Sequence, residues 1–158
     1  MPDFTVIFDK IEDMIVVPAV IGYNGNYKQV RALFDTGATI TYIAEEFVKE
    51  LNLPTTGEVI KTKALKATQK GAVVKVHIGF PKDNVFSDWS AVSMIRDNPS
   101  FDIIIGMDII RRGDLAISNK NEHTIFTFRV PSENKIKFTD NTISEQDIPA
   151  LIKIMRHL

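Results

Sequence analysis

The chain has 158 residues, 44% apolar and 25% charged, with a net charge of −1; that supports one well-filled core and is too short for two typical domains. Balanced charge and scattered lysines leave no polyanion footprint, so no nucleic-acid partner is expected. The absence of cysteine excludes disulfides and thiolate sites, and His77, His123 and His157 are too far apart for metal-ligand spacing, so each reads as a surface residue and no metal or cofactor is expected.

Met1-Pro2-Asp3 opens without a basic region followed by an apolar one, and the run Met14 to Ile21 is too short to span a bilayer and is broken by Pro18. It reads as a buried strand, and a cytoplasmic protein away from membranes is expected. Phe4 to Phe8 and Met14 to Val17 suit strands, and Asn24-Gly25 signals a tight hairpin turn. The hairpin delivers the chain to Val30-Arg31-Ala32-Leu33-Phe34 and then to Asp35-Thr36-Gly37-Ala38. A carboxylate leaving a half-buried strand needs hydrogen-bond partners. The Gly37 amide can donate to it without a Cβ in the way, and the short Thr36 hydroxyl can bond across a tight interface. The plain alternative is an ordinary Asp-x-Gly turn.

Beyond that turn, Ile43 to Leu51 reads as a short helix with Ile43, Phe47, Val48 and Leu51 on one face, Glu45 and Glu46 in its first turn and Asn52-Leu53-Pro54 closing it. Val59 to Phe80 alternates as two strands, with Val74, Val76, Ile78 and Phe80 on one face and Lys75 and His77 on the other. Their turn lies within Lys63 to Gly71, at Ala64-Leu65-Lys66 or at Gln69-Lys70-Gly71. Ser90 to Met94 forms a further strand, with Trp89 as a packing residue. Phe101 to Ile105 is an apolar strand running into Gly106, and a short helical stretch follows in which Asp108 reads as an N-terminal cap. Gly113 ends that stretch, and Leu115 to Ile117 and Thr124 to Val130 form a hairpin.

After Pro131 the chain turns polar, so residues 1–131 read as the main domain and 132–158 as a connection followed by an amphipathic helix. Ile148, Leu151, Ile152 and Met155 form its stripe, with Ser144 and Asp147 as caps. So short a helix must dock to be stable. Its own domain is the first expectation, then a second subunit, then another protein. A glycine-rich phosphate loop, a Gly-x-Ser-x-Gly nucleophile turn and a His-Glu-x-x-His pattern are all missing, which removes common competing chemistries.

The Asp35-Thr36-Gly37-Ala38 turn and the Ile104-Ile105-Gly106 strand end, about 70 residues further on, together resemble the retropepsin-like (retroviral-type) aspartic protease family, over about Phe4 to Val130. Gly106-Met107-Asp108 looks most like its bacterial and phage branch. The resemblance implies a mainly β fold, a closed barrel or sandwich half-domain with short helices, in which Ile104, Ile105 and Gly106 pass behind the Asp35 loop and support it together with Ala38. It also implies that the hairpin around Lys63 to Gly71 is a flap over substrate, although only Gly71 supplies the glycine usual at such a tip.

Peptide hydrolysis in that family takes two carboxylates sharing one proton, and no second Asp-Thr-Gly or Asp-Ser-Gly occurs here; Asp102, Asp108 and Asp114 have the wrong neighbours. The implied protein is a homodimeric aspartic endopeptidase with Asp35, Thr36 and Gly37 contributed twice at a two-fold axis, acting on a polypeptide. The alternatives are a non-catalytic relative that serves as a dimerisation or peptide-binding module, and an unrelated all-β domain with a fortuitous turn.

Overall fold

The computed structural model describes residues 3–63, 68–82, 84–133, 135–142 and 144–156. Period-two alternation carries the first part of the chain into strands β1 (Asp3–Ile7), β2 (Val16–Tyr23) and β3 (Asn26–Phe34), the last two joined at Asn24-Gly25. In β2 the residues Val17, Ala19 and Ile21 are buried while Pro18 and Val20 face outward, so the run from Met14 is half-buried rather than wholly buried. Pro18 is tolerated because β2 meets its second neighbour only over Val20 to Gly22, leaving no ladder for the missing N–H to break on that edge.

The next elements are β4 (Tyr42–Ala44), α1 (Glu45–Glu50), β5 (Thr55–Lys63), β6 (Thr68–Phe80) and β7 (Asn84–Met94). They are followed by β8 (Ile103–Ile105), α2 (Met107–Ile110), β9 (Asp114–Ser118), β10 (Ile125–Arg129) and α3 (Ile148–Met155). Ile43 belongs to β4 and not to the helix, which starts at Glu45. The cause is tertiary: Tyr42 to Ala44 pairs in parallel with β7, and Tyr42 and Ile43 pair antiparallel with β8, so ladder bonds outweigh the local helical pattern. Asn52, at a left-handed φ of 49°, turns the chain out of α1.

Gln69, Lys70 and Gly71 lie inside β6, opposite Thr62, Lys61 and Ile60, so they are not the hairpin tip; Ala64-Leu65-Lys66 falls outside the described residues. The strand expected at Ser90 begins six residues earlier, at Asn84. Its register against β6 shifts between Val76 and Ile78, where Asp88 takes a left-handed φ of 50°.

Pairing runs β2-β3-β8-β4-β7-β6 and returns from β6 to β2, closing a six-stranded barrel with β5 added outside β6. A separate antiparallel sheet, β1-β10-β9, packs on the barrel through Phe4, Phe126 and Phe128, which join Phe34 and Phe80 in one aromatic cluster. No helix among the described residues is long and apolar enough to cross a membrane.

The C-terminal helix differs from expectation. Ser144 and Asp147 form a reciprocal capping box before it, as the sequence implies, but every described residue of α3 is exposed and it does not dock on its own barrel. The α3 stripe of Ile148, Leu151, Ile152 and Met155 is left uncovered among the described residues. His77 is half-buried rather than at the surface, its ring stacked on Tyr23 at 4.7 Å; His123 is exposed, and His157 lies outside the described residues.

Two carboxylates fasten loops to this frame. Burial works against the charge on Asp102, but the Arg31 side chain and backbone N–H, with the Arg96 guanidinium, outweigh it and hold the carboxyl below its ordinary range. Asp114 is held at about 2 by hydrogen bonds from Ser132 and Arg129. A carboxyl whose folded value is depressed adds stability that is complete above its unfolded value of about 4 and is lost as pH falls through the folded one. The urea midpoint is therefore expected to hold down to about pH 4 and to fall between about pH 4 and 2, with a shallower fall in Asp114→Asn; equal slopes in both proteins would remove Asp114 from the account.

Candidate active site

Phe34 ends β3 with its ring centroid 6.2, 5.5, 4.8 and 5.2 Å from those of Phe4, Phe80, Phe126 and Phe128. Four aromatic contacts on one side chain leave it little rotational freedom. The adjoining Asp35 therefore starts from a fixed backbone. Residues 35–41 then arch to β4, and β8 is inserted between the two strands that this arch connects, parallel to β3 and antiparallel to β4.

Hydrogen bonds tie the arch to the segment beneath it. The Asp35 N–H donates to the Ile105 carbonyl at 3.0 Å, and the Met107 N–H donates to the Ala38 carbonyl at 2.7 Å. The Gly106 N–H donates to Thr41 Oγ1 at 3.2 Å. Between these bonds the two backbones are so close that a Cβ on Gly106 would stand 2.3 Å from the Ile40 carbonyl oxygen and 3.0 Å from that of Ala38. Only glycine fits there.

The Asp35 carboxylate is half-buried, and its Oδ1 accepts the Gly37 N–H at 2.8 Å. A Cβ on Gly37 would lie 3.1 Å from the same oxygen, tighter than ordinary contact. Thr36 and Gly37 are exposed, and Ala38 and Ile104 are half-buried, while Ile105 and Gly106 are buried. Asp13, Met14, Leu33, Leu115 and Ile117 join Asp35 and Thr36 around a shallow depression of about 380 Å³. Its lining is mainly apolar, with Asp13 and Asp35 as its two acidic residues.

Asp102, Asp108 and Asp114 are engaged elsewhere. Asp102 pairs with Arg31 and Arg96, and Asp114 with Arg129. Asp108 is not the cap of α2, a place taken by the extended Gly106; it is the second residue of the helix, and its carboxylate receives Thr41 and Trp89. One chain thus brings a single aspartate to the arch. The family model described as "Aspartyl protease" matches residues 17–109, more than half of the chain and a span containing both Asp35-Thr36-Gly37 and Ile104-Ile105-Gly106.

The chain belongs to the aspartyl protease family. Among solved structures it is similar to a retropepsin-like aspartic protease from Rickettsia conorii, at 16% identity over 80% of this chain and 92% of that one, with a TM-score of 0.54. It also matches the retroviral protease-like domain of Ddi1 from Leishmania major, at 17% identity over 78% and 98% of the two chains and a TM-score of 0.45. EIAV protease, solved with the inhibitor HBY-793, matches at 17% identity over 64% and 88%, with a TM-score of 0.44. No curated protein matches the chain. The fold is the retropepsin-like one: mainly β, with a closed barrel and a few short helices.

Thr41 and Tyr42 of this family member carry no signal in the sequence. Thr41 is completely buried, yet it follows Thr39 and Ile40 in a polar-looking stretch that marks it as loop. Tyr42 faces β5: burial pushes its hydroxyl above the ordinary range, Thr62 pulls it back, and the charge of Asp108 adds to the rise. Both depend on strands distant in sequence, so no local pattern signals them. The backbone crossing yields a direct prediction. Gly106→Ala is expected to lower unfolding stability by about 3 kcal/mol or to prevent folding, because carbonyl groups rather than flexible side chains would have to yield. A urea midpoint unchanged from wild type would show that the arch can lift.

Proposed function

We propose that this chain is an aspartic endopeptidase that works as a homodimer, with one Asp35 from each subunit. The observation that carries the reading is Asp35 itself: a carboxylate on a rigid base, accepting one hydrogen bond among the described residues, from the Gly37 amide of its own loop. Its other oxygen is left to water, substrate or a second carboxylate. The exposed Thr36 next to it supports a partner's approach, since its hydroxyl can bond across the axis that an isologous dimer provides.

In that site the ionised Asp35 takes a proton from water as the water attacks the scissile carbonyl carbon, and the protonated Asp35 of the partner subunit donates to the carbonyl oxygen. Collapse of the tetrahedral intermediate then breaks the C–N bond: the Asp35 that took the proton from water passes it to the leaving nitrogen, and the other Asp35 recovers a proton from the hydroxyl of the intermediate. Ala38, Ile104, Ile105 and Gly106 act by holding the loop. The substrate is an extended polypeptide between the floor beside Asp35 and the β5–β6 hairpin, held by main-chain hydrogen bonds. Residues 1–131 make up the protease unit and 132–158 an appended segment. The run Gly106-Met107-Asp108 supports the bacterial or phage branch of the family.

Asp35→Asn is expected to abolish cleavage of a denatured protein mixture, read as new termini by mass spectrometry, while leaving circular dichroism and sedimentation unchanged. Undiminished cleavage would remove Asp35 from catalysis, and a folded wild-type dimer that cleaves nothing would identify a binding module instead. Specific activity is also expected to fall on dilution in step with dissociation seen by sedimentation, because a monomer holds half a site. A monomer active at every concentration would exclude the two-subunit site.

A further inference from the structure

We propose that Asp108 is a positioning residue for the Asp35 loop, acting as a clamp on the end of the arch; its effect on catalysis rests on the protease reading above. Three donors converge on its carboxylate. The Thr41 hydroxyl donates to Oδ1 at 2.8 Å, the Ile109 N–H donates to Oδ1 at 3.0 Å, and Trp89 Nε1–H donates to Oδ2 at 2.9 Å. These donors come from the end of the arch, from α2 and from β7, so one side chain joins three segments widely separated in sequence.

An acceptor-only group is what this arrangement requires. Thr41 receives the Gly106 N–H on the same oxygen whose proton it gives to Asp108, so the carboxylate sets the direction of the whole relay. Thr41 also accepts the Val92 N–H on its carbonyl at 3.0 Å, which fixes its backbone to β7. Trp89 is held in turn, with the Arg112 guanidinium 5.4 Å above its ring and Phe86 edge-on at 5.6 Å. The loop is thus fastened at its start by Phe34 and the Ile105 carbonyl, and at its end by Thr41 through Asp108. A carboxylate pair meeting at a two-fold axis doubles any displacement of the loop, and misplacement on the scale of 1 Å costs about a hundredfold in rate. Asp108 touches neither water nor substrate in this scheme.

An asparagine of the same shape would keep its oxygen toward Thr41 and Ile109 but turn an N–H group against the Trp89 N–H. Asp108→Asn is therefore expected to lower kcat about tenfold to a hundredfold with KM within about twofold. Adding Trp89→Phe, which removes the opposing N–H, should recover part of that loss. Trp89 is the only tryptophan in the chain, so one indole N–H resonance reports the bond directly, and it should move in Asp108→Asn. Hydrogen exchange separates positioning from general stability: the amides of Asp35 and Met107 should exchange faster in the variant while those of Val74 and Val76 keep their protection. Unchanged kcat, or protection lost evenly throughout the barrel, overturns the proposal. Should Asp108→Asn not fold, Thr41→Val, which removes the donor to Oδ1, carries the same kinetic and hydrogen-exchange expectations. If the wild type cleaves nothing, the protease reading fails, while the exchange and indole measurements still decide whether the clamp exists.

Discussion

The close crossing of two backbone segments at Gly106 is the constraint on which the rest of this molecule depends. A strand inserted between the two strands that an arch connects leaves the arch no room to relax, and the distance from the Gly106 Cβ position to the Ile40 carbonyl measures how little room there is. The arrangement needs three things at once. The inserted strand must be short and apolar, its next residue must lack a side chain, and the arch must offer hydrogen-bond acceptors to the amides beneath it. Ile103-Ile104-Ile105-Gly106 meets the first two, and Ala38 and the Thr41 hydroxyl meet the third.

Rigidity at Asp35 has a second source on the opposite side of the loop. The aromatic cluster joins the small β1-β10-β9 sheet to the barrel and does so around Phe34, the residue covalently attached to Asp35. Burial of five phenylalanine rings is worth about 2 kcal/mol or more for each ring. That stabilisation is concentrated where a polar loop must leave the core, the least favourable place for an ordered carboxylate. The same packing that holds two sheets together therefore also orients the site.

Among Asp35, Asp102, Asp108 and Asp114, three are committed to structure and Asp35 keeps an open side. Asp102 and Asp114 answer arginines, and Asp108 answers neutral donors; each is satisfied within the chain. Asp35 has its own loop amide and an open side. One Asp35 on its arch is half of the acid–base pair that the proposed symmetric partner would complete.

Much of this was legible without coordinates. The Asn24-Gly25 hairpin, the alternation of β6, the Asp35-Thr36-Gly37 turn and the Ile104-Ile105-Gly106 strand end are local signals, since each arises from neighbours in sequence or from one strand's period. The sequence by itself therefore determined a mainly β chain with one distinctive aspartate. What it left undecided is non-local. Ile43 changed from helix to strand because β7 and β8 were available to it, and Asp108 changed from cap to clamp because Thr41 and Trp89 arrived beside it. The α3 stripe is left exposed, although its period and caps are those of a docking helix. Tertiary structure alone decided these points, because ladder bonds and buried hydrogen bonds are formed between segments whose proximity no local pattern encodes.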